Sequence, residues 1–138
     1  MAEGPETPGG GSGTIVLLVG MHRSGTSLLS HLLWRCGAHL GSATDDRPRP
    51  DNETGYWEHA EVVAIQESLL IELGRVCHLA GDLPLPEGWL AWPAAEAALT
   101  RLEAVARREL AAGGRWLVKD PRGSLLLPLW RALAARLD

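Results

Sequence analysis

An α/β fold built on a parallel sheet is what this sequence predicts, on three observations. Ile15 to Val19 form a short, unbroken, mostly β-branched apolar run, which is how a strand buried on both faces of a parallel sheet reads. Ser27 to Arg35 follow at once with Leu28, Leu29, Leu32 and Leu33 at helical spacing. Arg115 to Lys119, RWLVK, repeat the short apolar run after a long helical pattern, which makes a second parallel strand.

Before the first strand, residues 1–13 are Gly, Pro and acidic residues without periodicity, the composition of a disordered tail. They lack the basic and apolar regions of a signal peptide, so the default expectation is a cytoplasmic protein. One domain or part of one is expected over residues 14–138, since domains typically have about 100 to 150 residues. Hydrophobic content of 46% and charged content of 22% are ordinary for a globular chain, and no apolar run has the roughly 20 residues that span a bilayer. The formal charge of -4 argues against a general nucleic-acid binder, which needs a basic stripe. Cys36 and Cys77 have no metal-type spacing and read as free core thiols in a reducing compartment.

Between strand and helix lies Gly20 to Ser27, GMHRSGTS. Strand, glycine-bracketed turn and helix are in phosphate-loop order. Such a turn aims backbone N–H groups and the positive end of the helix dipole at one anion. Gly20 and Gly25 let the backbone fold tightly without a Cβ in the way, and Thr26 and Ser27 add hydroxyls at the helix start. The glycine spacing equals that of GxxxxGK[ST], but Thr26 occupies the lysine position. The loop's cation is instead Arg23, whose planar fork suits a pair of phosphate or sulfuryl oxygens. Of the 13 basic residues only Lys119 is a lysine.

The string GMHRSGTSLL resembles the 5′-phosphosulfate loop of sulfotransferases that use 3′-phosphoadenosine 5′-phosphosulfate (PAPS). It is most similar to bacterial sulfotransferase-family proteins and tyrosylprotein sulfotransferases, whose loops also carry Arg. The resemblance implies a three-layer α/β/α P-loop NTPase-like fold and a loop in which His22, Arg23, Ser24, Gly25, Thr26 and Ser27 hold the phosphosulfate. PAPS would be the co-substrate and no metal would be required, because the protein's own cations stand in for magnesium.

Ala38 to Asn52 are polar with two prolines and read as a surface loop. Gly55 to Glu58, GYWE, then precede a helix whose apolar face is Val62, Ile65, Leu69, Leu70 and Leu73, with Gly74 as its end. DNETGYWEHAEVVAIQESLL is similar to the second recurrent block of the family, and by that analogy Glu58 takes the proton from an acceptor hydroxyl. The dipole alone also favours a glutamate in a first helical turn, and His59 is an alternative base. Glu61 reads as a solvated face residue. Tyr56 and Trp57 read as packing residues, with acceptor-site walls the alternative.

A connecting loop spans Gly81 to Trp92, and a long helix follows from Pro93. Its face is Ala95, Leu99, Leu102, Val105 and Leu110, its stop is Gly113 and Gly114, and Arg101, Arg107 and Arg108 fall on the solvated side. The second strand ends in Lys119, Asp120, Pro121 and Arg122, at the strand end where open α/β sheets gather ligands. LVKDPR before a Leu-rich helix looks like the third family block, in which the lysine neutralises charge on the sulfuryl group. That role falls to Lys119. Asp120 is expected to cap the next turn or to orient Lys119 and Arg23, and Arg122 to pair with Asp120 or reach the cofactor. Ser124 onward reads as a last helix with Pro128 in or before its first turn.

The three blocks cover Ile15 to Leu137. The Arg and Ser that hold the 3′-phosphate in the family have no counterpart here, and two strands are too few for an open parallel sheet. The resemblance thus implies the N-terminal part of a sulfotransferase, or a degenerate short copy of one, with an incomplete sheet. Its partners would be PAPS, or its product 3′-phosphoadenosine 5′-phosphate (PAP), and an unidentified acceptor, with neither nucleic acid nor a membrane span. A P-loop small-molecule kinase and a non-catalytic nucleotide-binding fragment are the alternatives.

Overall fold

The computed structural model describes residues 13–45, 47–50, 52–53, 55–75 and 84–138. Residues 1–12 of the expected tail over residues 1–13, Cys77 and the start of the connecting loop at Gly81 lie outside them. The described residues form a mixed α/β fold with a parallel three-stranded sheet and four α-helices.

Strand β1 (Thr14–Leu18) leads through the glycine turn into helix α1 (Thr26–Arg35). Gly37, at φ 92°, turns the chain into the two-residue strand β2 (Ala38–His39). A second short pair, β3 (Thr44–Asp45) and β4 (Glu58–His59), is antiparallel and runs directly into helix α2 (Ala60–Glu72). Helix α3 (Pro93–Leu110) precedes strand β5 (Arg115–Lys119), and a 3-10 turn over Pro121–Ser124 leads to helix α4 (Leu127–Leu137). No described helix is long and apolar enough to cross a membrane.

The sheet order is β1–β5–β2, with Ile15 opposite Trp116, Leu17 opposite Val118 and Ala38 opposite Arg115. Alternation along a strand sends successive side chains to opposite faces. Trp116 and Val118 join one core with α2, α3 and α4, against which Ile15 and Leu17 also pack. Val62, Ile65, Leu69, Leu70 and Leu73 of α2 are all buried there, as their spacing predicts. Leu102 of α3 and Leu133 of α4 are fully buried, and truncating either to alanine would cost roughly 2 to 5 kcal/mol. The same alternation sends Lys119 and Asp120, neighbours at the strand's end, to opposite sides.

Several expectations need correction. The polar stretch from Ala38 to Asn52 is not all loop, because it supplies β2 as a third parallel strand and β3 as a partner for β4. Two-residue strands are too short to generate a periodic signal. Glu58 lies before α2 as expected, but within a short strand, β4, that was not foreseen. Strand β1 is an edge strand of only intermediate burial, and Val19 beyond it is 45% exposed. Helix α1 reverses the expected polarity: Leu28, Leu29 and Leu32 are exposed, whereas Thr26 and Ser30 are buried. Small residues four apart let α1 lie close to β5, and Ser30 Oγ donates to the Thr26 carbonyl at 2.9 Å instead of remaining unpaired. Cys36 is free but exposed, not a core thiol.

Candidate functional site

The loop after β1 is held tight by its own residues. A Cβ on Gly20 would come within 2.7 Å of Thr26 Cγ2 and 2.9 Å of Ser24 Oγ, so any larger residue there must push these side chains aside. Gly25 has open space around it but sits at φ 84°, and Arg23 also adopts the left-handed region at φ 64°. That geometry costs an ordinary L-residue about 1 to 2 kcal/mol. Ser24 N and Oγ both donate to the Met21 carbonyl, at 3.3 and 2.6 Å. Gly20 N donates to Ser124 Oγ at 3.0 Å, which ties the loop to the turn after β5.

Helix α1 begins without a side-chain cap. Its first N–H groups therefore lack the partner that a capping oxygen gives, and they carry the positive end of the dipole. Gly25, Thr26, Ser27 and Leu28 at this helix start line a cleft of about 750 Å³. His22, Arg23, Glu58, Lys119 and Arg122 line it as well. Every sequence-predicted site residue except Ser24 is thus brought to one cavity. Ser24 turns its hydroxyl to the loop's own backbone.

Across the cleft, Lys119 is 3% exposed. Its Nζ donates to Glu58 Oε1 at 2.6 Å and to the Tyr56 carbonyl at 2.9 Å. Trp57, at φ 59°, makes the bend that presents Tyr56 and Glu58 to the lysine. It packs against His31 and Trp34 of α1, at ring-centroid distances of 5.1 and 5.7 Å. Burial pushes the Glu58 carboxyl above its ordinary value, with the hydrogen bond and charge of Lys119 opposing the shift. A carboxylate raised in this way is a better proton acceptor near neutral pH. Arg122 NH1 lies 3.9 Å from Glu58 Oε2 and 2.9 Å from Asp120 Oδ1.

Asp120 does cap the turn, since its Oδ1 also accepts from Arg122 N at 3.0 Å. Arg122 pairs with Asp120, one of its two expected uses, and also lines the cleft. Tyr56 is a cleft wall and Trp57 a packing residue. His59 is not among the residues lining the cleft: it is 2% exposed, and its Nε2 lies 3.3 Å from Glu109 Oε1. That burial removes its case as the base. Glu61 is exposed and pairs with Arg108, and Arg107 pairs with Glu103, in keeping with solvated faces.

Two contributors had no role in the sequence reading. Asn52 Nδ2 donates to Ser27 Oγ at 3.2 Å and to the Gly55 carbonyl at 2.7 Å, linking the loop before β4 to the start of α1. Gln66 is fully buried on α2 and reaches Asp120. The Asn before Gly-Tyr-Trp-Glu was a visible signal for the first. For the second, the only signal was a polar residue between Ile65 and Leu69 on the apolar face. Comparison with protein-family models, curated proteins and solved structures gave no match to this chain.

Proposed function

We propose that this chain is a PAPS-dependent sulfotransferase domain of the P-loop NTPase-like α/β/α class, moving a sulfuryl group from PAPS to an acceptor hydroxyl or amine. One observation carries the reading: the uncapped start of α1, Arg23, Lys119 and Glu58 converge on a single cleft. The N–H groups at the start of α1, from Gly25 to Ser27, with the Thr26 and Ser27 hydroxyls, suit a phosphosulfate, and the cations suit the charge that develops on it.

In the transfer, the acceptor oxygen or nitrogen forms a bond to sulfur as the bond from sulfur to the bridging phosphate oxygen breaks. The acceptor proton passes to Glu58, and the electron pair of the broken bond leaves with PAP. Lys119 and Arg23 stabilise charge on the sulfuryl and bridging oxygens. Glu58 and Lys119 begin hydrogen-bonded at 2.6 Å. Transfer of the Lys119 contact to the incoming sulfuryl group would leave Glu58 a stronger base at that moment, because the opposing interaction is gone.

Incubation with sulfur-labelled PAPS and a panel of phenol, carbohydrate, peptide and amine acceptors tests this. Labelled product from the wild type, reduced at least a hundredfold in Glu58→Gln with PAP binding retained, is the expected result. PAP binding without turnover on any acceptor would favour a non-catalytic nucleotide-binding module. Magnesium-dependent ATP binding would favour the kinase reading, against which Thr26 in the lysine position stands.

A further inference from the structure

A polar line runs from the core to the cleft. Trp130 Nε1, on α4, donates to Gln66 Oε1 at 2.9 Å. Gln66 Nε2, on α2, donates to Asp120 Oδ2 at 2.7 Å. Asp120 Oδ1 in turn accepts from Arg122 NH1 at 2.9 Å and from Arg122 N at 3.0 Å. Gln66 is 0% exposed, Asp120 1% and Trp130 5%. Burying an amide and a carboxylate is costly unless their bonds are made, and here the Gln66 amide meets that demand for both Trp130 and Asp120.

The arrangement fixes both carboxylate oxygens of Asp120. One is occupied by Gln66, so the other must face Arg122, and the guanidinium is held where it lines the cleft. Glu58 Oε2 at 3.9 Å and Glu67 Oε1 at 3.7 Å also bear on Arg122. Without a fixed Asp120, these compete for the guanidinium and draw it toward β4 or along α2.

We propose that Gln66 is a positioning residue: through Asp120 it holds Arg122 as a third cation of the cleft, aimed at the anion bound there. The relay itself stands on the geometry of these four residues, while its service to PAPS rests on the function proposed above. The anion contact is made by Arg122, and Gln66 touches no ligand.

The test compares wild type, Gln66→Met and Gln66→Glu in the full chain. The first readout is the guanidinium NMR signal of Arg122, assigned by its loss in Arg122→Lys. Slow rotation is expected in the wild type and fast, averaged signals in Gln66→Met. At low pH the carboxyl introduced by Gln66→Glu is protonated, so it donates to Asp120 and accepts from Trp130 as the amide does. At high pH it is ionised and repels Asp120. Slow rotation should therefore return in Gln66→Glu on acidification, a change that a volume-filling role would not produce.

The second readout is PAP affinity, expected about tenfold weaker in Gln66→Met. If Arg122 rotates alike in all three proteins at both pH values, the relay is overturned even where PAP binds. If the wild type ignores PAP while the Arg122 signal follows position 66, the relay stands and the sulfotransferase reading falls. Should Gln66→Met fail to fold, the pH response of Gln66→Glu decides alone.

Discussion

Lys119 Nζ and Glu58 Oε1 meet at 2.6 Å, with the lysine side chain 4% and the glutamate side chain 15% exposed. This pair joins the end of β5 to the short strand before α2 and sets the floor of the cleft. Its partners come from segments 61 residues apart, so it closes the site only when the sheet is formed.

Removing the lysine should be costly. Lys119→Met leaves Glu58 half-desolvated without its main partner, and breaking such a pair costs roughly 3 kcal/mol. Glu58→Gln should cost less, since an amide oxygen still accepts from Nζ. Urea unfolding midpoints of the two variants decide the order, and equal losses would contradict the asymmetry.

Stability should depend on pH in opposite senses at two glutamates. Burial raises the Glu58 pKa above 4.5, so the folded state holds that proton more tightly. Its contribution is present below the unfolded value and is lost as pH rises through the raised folded value. Glu58→Gln should flatten that decline in unfolding free energy as pH rises above 4.5.

Glu109 behaves the other way. Burial alone would raise its pKa, but hydrogen bonds from Ser42, His59 and Arg108 outweigh it and hold the carboxyl at about 2. Stability is present above 4.5 and lost as pH falls toward 2, a contribution on the order of 3 kcal/mol. Acid titration of Glu109→Gln should lack this loss. A variant as acid-sensitive as wild type would show that the carboxyl is not held in this way.

Within the loop, the two glycines serve different ends. Gly20→Ala places a methyl against Thr26 and Ser24 and should cost about 1 to 3 kcal/mol through overpacking. Gly25→Ala meets no atom within 4 Å, so its cost is the φ strain alone, about 1 kcal/mol. Chemical denaturation of both variants separates the two causes.

On α1, Leu32→Gln should change stability by no more than about 0.5 kcal/mol, because the side chain is 53% exposed. A loss of several kcal/mol would mean that this face is covered in solution.

How much of this was legible follows from the length of each signal. Strand β5 and helices α2 and α3 carry runs long enough to show a face, and those faces fall where the spacing of Val62, Ile65 and Leu69 or of Leu99, Leu102 and Val105 puts them. The glycine loop was legible because chemistry restricts its residues. Strands β2, β3 and β4 were not, since two residues have no period. The polarity of α1 was misread because hydrophobicity marks the apolar face, whereas close packing on β5 was met by Thr26 and Ser30. Lys119, Glu58 and Arg23 were legible as a set through the resemblance, and the cleft brings them together. Gln66 was not, because its role depends on Asp120 and Trp130, 54 and 64 residues away.

On the sulfotransferase reading proposed above, Arg23 serves an anionic nucleotide rather than the fold. Titration of PAP against wild type and Arg23→Ala, with a magnesium chelator present and unfolding midpoints recorded alongside, tests it most directly. Arg23 is exposed and lines the cleft, so metal-independent binding by wild type, lost in Arg23→Ala with an unchanged midpoint, is the predicted result. Wild type that does not bind PAP, or Arg23→Ala that unfolds while keeping its affinity, would contradict the account.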